Sequence, residues 1–175
     1  ELNDAAKIIG NSPEPLMTVF KWGWFSANHP NEARKTACIL PGAKDFIACR
    51  LTGRFVTDPV TATTTGLMDI RTRRWARALI DLAGLQEEML PAIEPASVKI
   101  GSLTTEAARA LSLTAGIPII NGCGDAGATT LGSFCDEEGD VSLYLGTSGW
   151  VARVASEQSL DSDRPVYRLA HPSIT

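Results

Sequence analysis

Residues 117–151 read IPIINGCGDAGATTLGSFCDEEGDVSLYLGTSGWV, and this stretch decides the fold. Ile117–Ile120 is a short apolar run that reads as a buried strand despite Pro118. It leads into Gly122-Cys123-Gly124-Asp125-Ala126-Gly127-Ala128, and the small residues from Ala126 to Leu131 suit a helix. An aspartate at such a strand-to-helix corner lies near the helix N-terminus, where peptide N–H groups favour its anion. The neighbouring glycines let backbone or ligand approach closely. A carboxylate so placed can accept a proton from a hydroxyl that attacks a phosphoryl group. A plain N-cap aspartate carries the same signature, so the segment alone leaves both readings open.

Further on, Val141–Leu145 and Trp150–Val154 read as two strands joined across Gly146-Thr147-Ser148-Gly149, a hairpin signal. Glycines flanking two hydroxyls can offer N–H and O–H donors to phosphate oxygens. An ordinary hairpin turn accounts for the same residues. No lysine follows the glycines, so the loop is not a Walker A motif.

Upstream, the pattern is helical and interrupted. Residues 1–9 read as a helix tail stopped by Gly10, and Leu16, Phe20 and Trp24 share one face of the next helix. A short helix starts at Pro30 or Asn31, and residues 37–40 suit a short strand or turn. After Pro41, a helix with Ala43, Phe46, Ile47 and Leu51 along one face is stopped by Gly53. The threonine-rich residues 57–70, opening on Asp58-Pro59, read as an irregular surface stretch. A helix is predicted over 73–83 and stopped by Gly84, and Thr104 caps another that runs to Leu111. Beyond Ser156 the tail is polar, apart from a short strand candidate at Val166-Tyr167-Arg168-Leu169.

Composition narrows the function. The 175 residues carry a net charge of −4 with no basic cluster, which argues against a nucleic-acid partner. No apolar run approaches the ~20 residues of a membrane span, and the opening ELNDAAKIIG lacks the apolar core of a signal peptide. Cys38, Cys49, Cys123 and Cys135 form no C-x-x-C pair and lie far in sequence from His29 and His171. They read as small buried hydrophobes in a reducing cytoplasm, and no metal ligands are assigned.

The run from Ile117 to Val151 resembles the FGGY family of carbohydrate kinases. There a strand leads into G-x-x-D, a small-residue helix ends in L-G, and a further strand leads into G-T-S-G. Earlier residues agree in order and spacing. Lys21-Trp22-Gly23-Trp24 is similar to the K-x-x-W segment. Asp45-Phe46 through Arg50-Leu51-Thr52-Gly53 is similar to D-Y/F…R-L-T-G. Asp58, Thr63, Leu67, Asp69 and Trp75, then Leu90-Pro91, Gly101 and Leu103-Thr104, continue the family's pattern.

The resemblance implies an α/β, ribonuclease-H-like mixed sheet with flanking helices, of the actin/hexokinase/Hsp70 ATPase superfamily. Two such domains close on a cleft for ATP and sugar. Residues 1–136 are expected to be the later part of the sugar-binding domain, and 137–175 the start of the ATP-binding domain. The implied activity is ATP-dependent phosphorylation of a sugar or polyol hydroxyl, xylulose-kinase-like, with a gluconate or other polyol kinase, or a non-catalytic sugar-binding relative, as alternatives. Asp125 would be the general base and touch the substrate. Gly146, Thr147, Ser148 and Gly149 would hold the nucleotide phosphates, which Mg²⁺ bridges. A homodimer is left open.

Glu1 in place of methionine leads to the expectation of an internal piece, inactive by itself. The family's D-x-G-T-T-S phosphate loop would precede it, and the adenine-binding segment would follow Thr175. One residue departs from the family pattern. Ala126 stands where Asn or Gln often follows the base, and alanine cannot hydrogen-bond a substrate hydroxyl.

Overall fold

The computed structural model describes residues 2–156 and 166–172. Helix α1 (Leu2–Ile9) stops at Gly10, whose φ of +73° turns the chain out of the helix. Then come α2 (Thr18–Asn28), α3 (Pro30–Ala33), α4 (Ala43–Thr52), β1 (Val56–Thr57) and α5 (Pro59–Thr63). They are followed by β2 (Met68–Asp69), β3 (Arg74–Trp75), α6 (Arg77–Leu82) and a 3-10 turn at Glu87–Met89. The order continues through β4 (Ala92–Ile93), β5 (Lys99–Ser102), α7 (Thr105–Leu111), β6 (Pro118–Ile120) and α8 (Asp125–Gly132). It closes with β7 (Val141–Leu145) and β8 (Gly149–Arg153). Among the described residues the strands form four pairs: β1 parallel to β4, and antiparallel β2–β3, β5–β6 and β7–β8.

Several local readings match their elements. Thr104 caps α7, its hydroxyl accepting from the Ala107 amide at 3.2 Å. Gly53 and Gly84 sit at the ends of α4 and α6 with positive φ. The hairpin is in register from Val141↔Arg153 to Leu145↔Gly149, with Tyr144 stacked on Trp150 at 3.9 Å.

Others are corrected. Leu16, Phe20 and Trp24 are exposed, and Trp22 is the buried residue of α2. The helix is apolar on more than one side, so periodicity alone did not select its inner face. Trp22 packs with Ile9, Met17, Leu67, Leu79, Ile80 and Leu85 in the main core cluster. In α4, Phe46 and Ile47 are exposed, and the inward positions are Asp45 and Ala48. The helix predicted over 73–83 begins only at Arg77, because Arg74–Trp75 pairs with Met68–Asp69. Of the predicted strand 117–120, β6 takes Pro118–Ile120; Ile117 and Ile120 are exposed, and Ile119 packs against the buried Ala48, Val56 and Ile100. Residues 37–40 and 166–169 have no regular structure, so the strand candidate at Val166–Leu169 is not formed. The rest of the polar tail, 157–165 and 173–175, lies outside the described residues, as does Glu1.

The largest correction concerns 57–70. Read as surface, it is the most buried part of the molecule: Val56 through Thr63 are all buried, as are Thr65 to Met68 and Ile70. Threonine can be buried when its hydroxyl finds a partner. Thr57 donates to Asp45 at 3.0 Å and Thr61 to Asp58 at 2.6 Å. Thr63 donates to the Pro59 carbonyl at 2.8 Å and Thr65 to that of Ala62 at 2.6 Å. The same Thr63 oxygen accepts from the Ala170 amide at 3.1 Å, so residues 166–172 are laid over this segment.

Candidate active site

A cleft of about 350 Å³ opens between the starts of α4, α5 and α8. Lys44, Thr61, Cys123, Asp125, Ala126 and Leu169 are among its lining residues. Its walls come close because Gly127 has no side chain: a Cβ there would sit 2.8 Å from Val60 Cγ2 and 3.0 Å from Pro172 Cγ. This contact draws α8 against α5, so Asp125 opens onto the same cleft as the buried threonine segment.

Asp125 is the first residue of α8, and Gly124 is the cap. The plain N-cap reading is therefore corrected: no side-chain cap bond is made at Gly124. Asp125 Oδ1 accepts from the adjacent Ala126 amide at 2.8 Å, and the residue is exposed. Its helix closes its own polar groups. Thr129 and Thr130 donate to the carbonyls of Asp125 and Ala126 at 2.8 and 2.7 Å, and Ser133 reaches Ser142 of β7 at 2.9 Å.

Behind Lys44, which lines the same cleft as Asp125, lies a group of polar residues whose functional weight the sequence does not suggest. Asp45 and Asp58 have side chains with no exposure at all, and both meet Lys44 Nζ, at 2.5 and 2.9 Å. Asp45 Oδ2 also accepts from the Gly42 amide and the Thr57 hydroxyl. Asp58 caps α5, with Oδ1 accepting from the amides of Val60 and Thr61 at 2.9 and 3.1 Å. Lys44 further approaches Asn121 Oδ1 at 3.4 Å. Asn121 Nδ2 donates to the carbonyls of Thr57 and Glu94 at 3.0 and 2.8 Å. The signal that could have exposed the group is the pair Lys44-Asp45 on a helix whose apolar positions face out. Cys123, on the cleft wall, has its thiol pKa pushed up by burial and then by the Asp58 carboxylate, which makes it a poor nucleophile.

The glycine-flanked turn stands apart from this cleft. Gly146, Thr147, Ser148 and Gly149 are exposed, and none of them lines it. The Gly146 amide is already bonded to the Ser148 carbonyl at 2.9 Å. The Tyr144 ring lies over Gly146, where a Cβ would meet its hydroxyl at 2.9 Å. The hydroxyls and amides of Thr147 and Ser148 are the donors the turn can present. Such donors fit phosphate oxygens. Among the described residues no group of three or more His, Cys, Asp or Glu could hold a metal ion. Mg²⁺ needs no such group, since it is held mainly by phosphates and water with one or two carboxylates.

The fold is that of the actin/hexokinase type, shared with solved structures of sugar kinases. The sequence profile of the FGGY family of carbohydrate kinases, N-terminal domain, matches residues 2–132. The chain belongs to that family. An autoinducer-2 kinase of Klebsiella pneumoniae is 35% identical over 124 residues, covering 71% of this chain and 23% of the relative. An L-fuculokinase of Salmonella typhi is 35% identical over 130 residues, 74% of this chain and 27% of the relative. Among solved structures, a xylulose kinase from Rhodospirillum rubrum matches with a TM-score of 0.80 and 26% identity, over 86% of this chain and 31% of that one. A gluconate kinase from Lactobacillus acidophilus matches with 0.76 and 28%, over 86% and 30%. The chain thus spans about a quarter of the length of the curated relatives it matches.

Proposed function

We propose that this chain carries the catalytic base of an ATP-dependent kinase acting on a sugar or polyol hydroxyl. The observation that carries the reading is Asp125: an exposed carboxylate on a cleft wall, at a helix start, whose one side-chain partner among the described residues is its neighbour's amide. It keeps acceptor capacity for a substrate O–H. In the reaction the hydroxyl oxygen forms a bond to the γ-phosphorus, the bond to the β-phosphate oxygen breaks, and ADP departs. The hydroxyl proton passes to Asp125. Mg²⁺ bound to the phosphates would neutralise developing charge. On this reading 1–136 belong to the sugar-binding domain and 137–175 open the ATP-binding domain, consistent with a profile match that ends at residue 132 and with β6 and β7 in separate strand pairs.

Xylulose is the first substrate to try, and gluconate the second, with fuculose and autoinducer-2 following from the curated relatives. Ala126 lines the cleft and offers no hydrogen bond, so the substrate is oriented there by shape rather than by a side-chain amide. ATP consumption should be measured for all four in the longest natural chain that carries this sequence. Turnover of one of them, abolished by Asp125→Asn, is the expected result; no turnover of any, with sugar still bound, would favour a non-catalytic relative. The hairpin turn is assigned to the phosphates, and Thr147→Val should raise the KM for ATP. An unchanged KM and kcat would leave Gly146–Gly149 an ordinary turn.

A further inference from the structure

The buried charges below the cleft are not required by the proposed reaction. One ammonium serves two carboxylates that have no solvent exposure, so the Lys44–Asp45–Asp58 group holds an excess negative charge inside the protein. That arrangement survives because each carboxylate oxygen has a donor. Asp45 has Lys44, the Gly42 amide and the Thr57 hydroxyl; Asp58 has Lys44, two α5 amides and the Thr61 hydroxyl. The lysine side chain is 24% exposed and lines the cleft beside Asp125. Its third contact is to Asn121, the residue at which the chain leaves β6 for the loop that carries Asp125.

Asn121 is pinned from every side. Its amide donates to the Val98 carbonyl at 3.0 Å, and the next amide, Gly122, donates to Ala96 at 2.8 Å. Its side-chain nitrogen is used on the Thr57 and Glu94 carbonyls. The side-chain oxygen is the acceptor that Lys44 approaches. Beyond Gly122, which adopts φ +71°, Cys123 and Gly124 lead straight to Asp125. The orientation of that short loop is thus set by Asn121, and Asn121 is tied through Lys44 to the starts of α4 and α5.

We propose that Lys44 is a positioning residue for Asp125: it neutralises the buried carboxylates and, through Asn121, fixes the loop from which Asp125 projects. The proposal rests on Asp125 as the base, but the tie itself can be read without activity. Two variants separate its parts. Lys44→Met removes both the charge and the Asn121 contact. Lys44→Met with Asp58→Asn carries the same net charge as the natural group and keeps a capping oxygen on α5, so it should fold even where the single variant does not.

The test uses the longest natural chain carrying this sequence, the sugar turned over fastest among the four named above, and hydrogen exchange of the peptide spanning Asn121–Asp125. The double variant should recover the thermal midpoint yet keep faster exchange in that peptide, tenfold or more, with the β7–β8 hairpin unchanged. Its kcat should fall at least tenfold while the KM for ATP holds. Normal exchange and normal kcat in the double variant would overturn the proposal and leave Lys44 a charge neutraliser only. Should Asp125→Asn retain full activity, the base reading fails, and the exchange result still decides whether Lys44 holds the loop.

Discussion

Asp58 and Asp125 both stand at helix starts beside one cleft, and their surroundings are opposite. Asp58 is wholly buried and saturated, accepting two amides, the Thr61 hydroxyl and the Lys44 ammonium. Asp125 is exposed and, among the described residues, accepts only the amide of the next residue. A carboxylate with every lone pair occupied stabilises structure and has nothing left for a substrate. One with open acceptor sites on a cleft contributes little to the fold and is free to take a proton. The difference teaches that a helix-start aspartate is sorted by how many of its acceptor sites the protein itself uses.

The largest effect expected is on catalysis. Asp125→Asn should lower kcat by ~10²–10⁴-fold, the range of a positioned base, equivalent to about 3–5 kcal/mol of barrier. Steady-state phosphorylation by the folded variant measures it; near-normal turnover would erase the contrast between the two aspartates. Next comes stability at the other site. Asp58→Ala leaves Lys44 paired with Asp45, so no charge is left unpaired, but it strips the cap from α5 and takes the acceptor from two buried amides and the Thr61 hydroxyl, at about 1–3 kcal/mol for a buried donor left unsatisfied. Denaturant unfolding should show that loss, and a cost below about 1 kcal/mol would mean the network does not hold the segment.

The unequal legibility of the two sites has a physical origin. Asp125 sits in one short run, strand then glycines then small residues, so local pattern singles it out as a candidate. The hairpin and the ends of α4, α6 and α7 were equally local, each marked by a glycine or a capping threonine. The Asp58 site is assembled from separate segments, and Lys44 meets Asn121 across 77 residues. No window contains both. The threonines of 57–65 look like loop composition because a hydroxyl's burial depends on its partner, which sequence does not display. The inner faces of α2 and α4 escape the sequence for a related reason: Trp22 and Asp45 are selected by what packs on them, not by apolar spacing.

A smaller effect probes the contact that joins the sites. Gly127→Ala places a Cβ 2.8 Å from Val60 Cγ2, so α8 must move away from α5 or the valine must shift. Overpacking of this kind costs about 1–3 kcal/mol. The thermal midpoint should drop, and kcat should fall with it because Asp125 rides on the displaced helix. An unchanged midpoint would indicate that Val60 rotates aside freely.

The smallest effect is the sharpest test of the comparison. Asp125→Ala removes a negative charge near the N-terminus of α8, which loses roughly 0.3–1 kcal/mol of helix-dipole interaction. It also replaces aspartate by the best helix former, a gain of about 0.5 kcal/mol within a helix. No cap is lost, because Gly124 holds that position, and the single bond given up is to the adjacent amide at an exposed site. The two contributions offset, so denaturant unfolding should place Asp125→Ala within about 0.5 kcal/mol of the natural protein. A loss of 2 kcal/mol or more would show that Asp125 is structural after all, and the two aspartates would then differ in exposure but not in role.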